Sequence, residues 1–155
     1  MINTTLCYIE QDGKYLMLHR IKKKNDLNQD KWIGIGGKFE DKESPEDCVI
    51  REALEETGLS LIRPRYRGIV TFVSDKYETE WMHLFTATEF SGDIKECEEG
   101  TLKWVDKEFL YSLPMWEGDR IFLDLIATPS PFFSLKLCYK GDKLIDAVLN
   151  GEKIR

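Results

Sequence analysis

The sequence predicts a mixed-sheet α/β sandwich, on three observations. Short apolar runs of strand character, bounded by turn residues, recur along the chain. Two stretches carry helix start and stop signals. No repeat, low-complexity tract or linker divides them. Strands interleaved with two or three helices bury their apolar faces when helices cover a mixed sheet. The 155 residues, 42% apolar and 32% charged, suit one compact domain over 1–155 with a core of its own.

Residues 4–10 and 14–20 (TTLCYIE and KYLMLHR) flank Asp12-Gly13, a hairpin signal. The polar stretch RIKKKNDLNQDK then reads as a loop. Its Lys22 to Lys24 suit either solvated charge or a phosphate contact, with Lys23 the candidate. Ser44-Pro45-Glu46-Asp47 opens the central helix, with Ser44 at the N-cap, Pro45 at the first helical position and Asp47 where a capping-box carboxylate sits. Gly58 suits the left-handed residue that ends it. Pro64 to Ser74 and Trp81 to Glu89 read as strands joined by the turn DKYETE. SGDIKECEEG is a second loop, TLKWV a short strand, and KEFLYSL a short helix capped by Asp106 and stopped by Pro114. Gly118 to Thr128 reads as a helix ended by Pro129, and FFSLKLCYKGDKLIDAVLN as a hairpin turning at Gly141-Asp142.

A net charge of −6 argues against a protein that tracks polymeric nucleic acid, which is usually basic. It leaves room for a small anionic substrate, because a bound divalent cation reverses the local field. The four cysteines, Cys7, Cys48, Cys97 and Cys138, form no CxxC pair and are expected as free thiols, with one or two disulfides as the alternative. The N-terminus lacks the regions of a signal peptide, and no apolar run approaches the roughly 20 residues that span a bilayer. The expected location is cytoplasmic, without a membrane partner, as monomer or homodimer.

The central helix poses the chemical question. Placing successive residues about 100° apart gathers Glu52, Glu55 and Glu56 in one sector. Val49, Ile50, Ala53, Leu54 and Thr57 lie across from it as the expected core face. Like charges at these offsets weaken a helix by about 0.2–0.5 kcal/mol per pair. No lysine stands at the matching offsets, and Arg51 is the one cation inside the segment. A hard divalent cation taking carboxylate oxygens relieves the repulsion, and magnesium commonly pairs such ligands with substrate phosphates. Upstream, Gly34, Gly36 and Gly37 let backbone approach a ligand or metal closely, and Lys38 is placed to meet a phosphate.

Gly37, five residues, Glu43, seven residues, Arg51-Glu52-Ala53-Leu54-Glu55-Glu56-Thr57-Gly58-Leu59 resembles the Nudix box, G-x5-E-x7-R-E-U-x-E-E-x-G-U with U aliphatic. Its one soft departure is Ala53, small where a larger aliphatic is usual. The resemblance implies a Nudix-type α/β/α sandwich that hydrolyses a nucleoside diphosphate linked to another group, using Mg²⁺, with Mn²⁺ as a substitute. It implies metal-binding roles for Glu52, Glu55, Glu56 and the Gly36 carbonyl, with Glu55 or Glu56 assisting proton transfer from water. Gly37, Glu43, Arg51 and Gly58 are then structural, Glu43 and Arg51 orienting loop and helix through an ion pair. Glu99, in the loop before TLKWV, is either a further catalytic carboxylate or one of several surface acids.

The resemblance reaches past the box. KWIGIGGK, the box, a Glu-rich loop before a Trp strand, LPMWEGD and a final hairpin are similar to MutT-type enzymes that clear oxidised purine nucleoside triphosphates such as 8-oxo-dGTP. In that group a Met-Trp-x-x-Asp segment lines the base pocket, which implies that Trp116 stacks on the purine and Asp119 reads its edge. The plainer reading makes Trp116 core and Asp119 a helix start. Ile33 stands where that group places an Asn touching the base, and Gly118-Asp119 where it has two adjacent acids. Base selection is therefore expected to differ or loosen toward general (d)NTPs. Phe72, Trp81 and Phe132 either line the pocket as well, as an aromatic wall, or belong to the core. The rivals are a Nudix hydrolase of ADP-ribose or a dinucleoside polyphosphate, and a non-catalytic nucleotide sensor, which would be expected to lack box carboxylates that are all present here.

Overall fold

The computed structural model describes residues 1–21, 27–28 and 30–155; Lys23 and the rest of 22–26 lie outside them. In chain order the strands are β1 (Ile2–Gln11), β2 (Lys14–His19) and β3 (Trp32–Ile33), then helix α1 (Pro45–Thr57). There follow β4 (Ser60–Leu61), β5 (Arg65–Ser74), β6 (Glu80–Ala87), β7 (Phe90–Ser91), β8 (Thr101–Asp106) and helix α2 (Asp119–Ile126). β9 (Phe133–Lys140), β10 (Lys143–Leu149) and β11 (Glu152–Lys153) close the chain.

The sheet is mixed. β1 runs parallel to β6 from Ile2–Glu80 to Ile9–Ala87. β5 is antiparallel to β6 and parallel to β9, and β10 and β11 continue antiparallel from β9. The expected hairpin at Asp12-Gly13 forms, both residues at positive φ. It pairs only at Glu10–Tyr15 and Gln11–Lys14. β2 then leaves β1 and joins β3 and β8.

Both faces of the sheet are covered, so β1 reads as an unbroken apolar run rather than an alternation. Leu6 and Tyr8 point into one core with Val70, Leu84 and Phe122 of α2. Cys7 and Ile9 point into the other with Ile35, Phe85 and Val49 of α1.

α1 begins as its sequence dictates. Ser44 accepts from the Asp47 N–H, and the Asp47 carboxylate accepts from the Ser44 N–H. Gly58 ends it at φ 83°. Its buried face differs from expectation. Cys48, Val49, Ala53, Glu56 and Thr57 are buried, while Ile50 and Leu54 are exposed, Leu54 at 48%. Glu56 and Val49 lie only about 20° apart around the axis, so a small rotation of the helix turns Glu56 inward.

Three further expectations need correction. KEFLYSL is a 3-10 helix over Lys107–Ser112, and Asp106 makes no side-chain cap to it. The tail adds β11 beyond its hairpin. Trp81 and Phe132 are exposed, at 39% and 54%: Trp81 alternates to the face opposite Glu80 and Met82, and Phe132 packs edge-on against Tyr66. All four cysteines are free.

Candidate active site

The glycine segment comes first, because it sets where the carboxylates sit. The Thr5 and Cys7 N–H groups of β1 donate to the Gly37 and Ile35 carbonyls. A Cβ at Gly36 would lie 1.8 Å from the Thr5 carbonyl oxygen, and one at Gly37 would lie 2.6 Å from the Glu52 carboxylate. At Gly36 only glycine lets this backbone press against β1, while a side chain at Gly37 would displace the Glu52 carboxylate.

Arg51 then ties the segment to the helix. Its Nε and Nη2 donate to the two Glu43 oxygens at 2.7 and 2.9 Å, and Nη2 donates to the Lys38 carbonyl at 3.0 Å. Nη1 reaches Glu52 at 2.9 Å and Glu55 at 3.1 Å. The cluster is thus partly neutralised from within, by a fork that meets carboxylates two-pronged.

Glu52, Glu56 and Glu99 lie near enough for their charges to act on one another. Burial, reinforced by the Glu99 and Glu52 charges, pushes the Glu56 carboxyl up to about 9. Glu52 is raised by burial against the pull of Arg51. Glu55 is largely exposed on the same helix. Glu99 lies 3.2 Å from Arg20, a cation that the sequence reading did not single out.

Carboxylates and aromatic wall share one cavity of about 1010 Å³. Gly36, Glu52, Glu55, Glu56 and Glu99 line it, with Gly37 and Lys38 beside them. Ile33, Phe72, Trp116 and Asp119 line it too. Trp116 is core and wall at once: 5% exposed, edge-on to Phe72 at 5.4 Å and Tyr139 at 4.9 Å. Its indole N–H donates to Asn28 at 2.8 Å, and the Lys31 ammonium stands 4.5 Å from the ring centre. Asp119 opens α2 and is 6% exposed. Burial pushes its carboxyl up to about 8, against the opposing charges of Arg120 and Lys31.

The sequence reading missed Lys31, Asn28 and Glu80, which accepts from the Thr4 hydroxyl at 2.8 Å. Glu80 had a signal: it is in phase with Met82 and Leu84, so a carboxylate occupies an inward position of β6. Lys31 and Asn28 had none, because only the folded loop brings them to Trp116.

Residues 2–126 match the family model of the NUDIX domain. The chain belongs to the Nudix family. It is 38% identical over 127 residues to an uncharacterized Nudix hydrolase, YvcI, of Bacillus subtilis, covering 79% of this chain and 77% of that one. It is 32% identical over 130 residues to the oxidized purine nucleoside triphosphate hydrolase of Danio rerio, covering 83% and 81%. Among solved structures it is similar to a MutT protein from Bacillus halodurans, at a TM-score of 0.85 and 28% identity over 98% of this chain and 99% of that one.

Nudix hydrolases generally use a divalent cation, typically Mg²⁺, and the residues here fit one. Among the described residues no hydrogen bond reaches the buried Glu56 Oε2, and burial together with the Glu99 and Glu52 charges disfavours its ionised form. A cation supplies what that oxygen lacks, and an all-oxygen donor set suits a hard ion. Among the described residues no three acidic, His or Cys side chains are gathered to hold a cation as they stand. Arg51 accounts for part of this, since its Nη1 draws Glu52 and Glu55 to itself.

Proposed function

We propose that this Nudix domain, acting over residues 1–155, is a Mg²⁺-dependent nucleoside triphosphate pyrophosphohydrolase. Its leading substrates are oxidised purine nucleotides such as 8-oxo-dGTP, and its role is to keep damaged precursors out of DNA. The observation that carries this reading is the continuity of one cavity from the α1 carboxylates to Trp116 and Asp119. Phosphates at one end and a base at the other suit such a site.

Glu52, Glu55, Glu56 and the Gly36 carbonyl would hold the cation, with Mn²⁺ able to replace Mg²⁺. When bound, it neutralises phosphate charge and lowers the pKa of water. Arg51 holds the glycine segment to α1 and so keeps Gly36 beside the carboxylates. Lys38 at the rim, and Lys23 outside the described residues, meet the phosphates. Glu99, steadied by Arg20, takes the proton of the attacking water, a task that Glu55 shares. The water oxygen bonds to phosphorus, a bridging P–O bond breaks, and monophosphate and pyrophosphate leave. Cleavage of this kind depends chiefly on positioning and charge.

At the base end Asp119 keeps its proton at neutral pH, so its carboxyl both donates and accepts. Oxidation at C8 replaces the bare N7 of guanine with an N–H, beside the O6 acceptor. A protonated carboxyl matches that acceptor–donor pair and meets unmodified guanine with only one of its two bonds. Ile33 favours a second reading. It brings an aliphatic side chain to the wall, which leaves less to reject other bases, and general (d)NTP hydrolysis follows if Asp119 discriminates weakly.

The test is a panel of 8-oxo-dGTP, dGTP, dATP, dCTP and ADP-ribose with saturating Mg²⁺ and chromatographic product analysis. Monophosphate and pyrophosphate in equal amounts are expected. The kcat/KM for 8-oxo-dGTP is expected to exceed that for dGTP at least about tenfold, as polar recognition in a closed pocket allows. Comparable constants for all triphosphates select the general reading, and ADP-ribose as best substrate overturns both.

A further inference from the structure

We propose that Glu80 determines base specificity: its carboxylate accepts the ring N1–H and the 2-amino N–H of a guanine-type base, and Thr4 holds it in place. The inference rests on the nucleotide reading above and deepens it by naming the edge of the base that is read and the residue that reads it.

Glu80 opens β6 between two neighbours, Ile2 of β1 and Phe72 of β5. Directly paired residues present their side chains on the same sheet face, which places the carboxylate beside the Phe72 ring. Phe72 in turn meets Trp116 edge-on, and Thr4, Phe72, Glu80 and Trp116 all line the cavity. Next to it on this face stand the apolar side chains of Leu6, Tyr8, Met82 and Leu84, beside Thr4. A carboxylate among them is costly unless its oxygens are used. The Thr4 hydroxyl serves Oε2 at 2.8 Å. Among the described residues no hydrogen bond reaches Oε1 from the protein, so that oxygen is open to a ligand.

An ionised carboxylate only accepts, and its two oxygens suit two parallel N–H donors. Guanine carries such a pair, N1–H next to the 2-amino group, and 8-oxoguanine keeps it. Adenine and cytosine set a bare ring nitrogen beside the amino group, which opposes an acceptor to an acceptor. Hypoxanthine has the N1–H and lacks the 2-amino group, so it isolates one of the two contacts. The edge read by Glu80 differs from the N7–O6 edge assigned to Asp119, and two carboxyls on separate elements then recognise one base. Burial raises the Glu80 carboxyl, and the Thr4 hydrogen bond and the Lys38 charge oppose that rise toward the ionised form. Because Lys38 acts on it, a role through the phosphates is the competing account that the experiment must separate.

Wild type, Glu80→Gln and Thr4→Val are compared on dGTP, dITP and dATP with saturating Mg²⁺, with a thermal melt of each. Wild type is expected to favour dGTP over dITP at least about tenfold, the scale on which a polar site rejects an analogue lacking one group. Glu80→Gln, which turns one acceptor into a donor, is expected to shrink that ratio at least about fivefold by loss on dGTP. Thr4→Val is expected to move it the same way by less, and it decides the matter if Glu80→Gln does not fold. An unchanged ratio in the folded variants overturns the proposal. So does an equal loss on all three substrates, which assigns Glu80 to Lys38 and the phosphates. Wild-type indifference between dGTP and dITP overturns this inference alone. No hydrolysis of these three or of 8-oxo-dGTP overturns the nucleotide reading and this inference with it.

Discussion

Asp119 shows how much one buried carboxyl decides. Its value is pushed from 3.8 to about 8, so between these limits the native state holds a proton that the unfolded chain has released. Stability is therefore full below about pH 4 and is lost as pH rises toward about 8. Asp119→Asn cannot ionise and escapes that loss. Thermal melts should show variant and wild type alike near pH 4 and the variant higher by several degrees at pH 8, since about 1 kcal/mol moves a chain of this size by about 2–4 °C. Parallel melting curves across that range would remove the buried-acid account. The same substitution should shrink the preference for 8-oxo-dGTP over dGTP, measured as the ratio of kcat/KM values. Glu56 offers a second case, a buried carboxylate with an orphaned oxygen. Glu56→Gln should melt higher than wild type in EDTA at neutral pH, because it removes a carboxyl whose ionisation is opposed by burial first and by the Glu99 and Glu52 charges next, yet lose more than about tenfold in turnover with Mg²⁺. Near-normal turnover would take Glu56 out of the metal site. The box spacing made Glu52, Glu55 and Glu56 legible in the sequence. Their inequality was not, because whether a carboxylate is buried like Glu56 or exposed like Glu55 depends on how the helix is rotated against the sheet.

At the scale of elements, α1 and the glycine segment work as one unit through Arg51. The guanidinium reaches Glu43, the Lys38 carbonyl, Glu52 and Glu55 at once, a geometry that lysine's single ammonium does not reproduce. Arg51→Lys keeps the charge and loses the fork. It should leave the fold intact by circular dichroism and cut turnover or apparent Mg²⁺ affinity by about 10–100-fold, the usual cost of losing an outer-shell partner. Wild-type turnover and Mg²⁺ dependence would reduce Arg51 to a surface cation. The limits of α1 were readable because they rest on local chemistry: Ser44, Pro45 and Asp47 at the start, Gly58 at φ 83° at the end. Its core face was not. Val49 and Ala53 are buried as the pattern implies, but Ile50 and Leu54 belong to the same apolar arc and are exposed. Position around the axis is set by what the helix packs on, here Cys7, Ile35 and Phe85. Asp106 failed for a related reason, since a capping residue type is only useful when its side-chain oxygen reaches the N–H groups of the first turn, and Asp106 makes no such bond.

The whole molecule joins parts that are remote in sequence. β1 and β6 pair across more than seventy residues, and no local pattern foretells such a pairing or the early parting of β1 from β2. Yet these two arrangements open the cavity, with the α1 carboxylates at one end and Trp116 and Asp119 at the other. No helix among the described residues is long and apolar enough to cross a membrane. Continuity has a thermodynamic consequence. A ligand that binds only the native state raises stability in proportion to the logarithm of its concentration over Kd, and two independent ligands simply add. Cation and nucleotide held in one cavity should do more than add, because in the proposed mode the nucleotide's phosphates would contact the cation. Melts with Mg²⁺ alone, with a dGTP analogue carrying methylene between the α- and β-phosphorus alone, and with both should expose the difference. The combined shift is expected to exceed the sum by the equivalent of about 1–3 kcal/mol, a usual coupling energy. The excess should vanish in Glu56→Gln and survive in Trp116→Ala at raised analogue concentration, since stacking contributes about 1–3 kcal/mol and is blind to the metal. Shifts that merely add in the wild type would mean that cation and base occupy independent sites, and a cavity divided in that way could not present a triphosphate to its carboxylates.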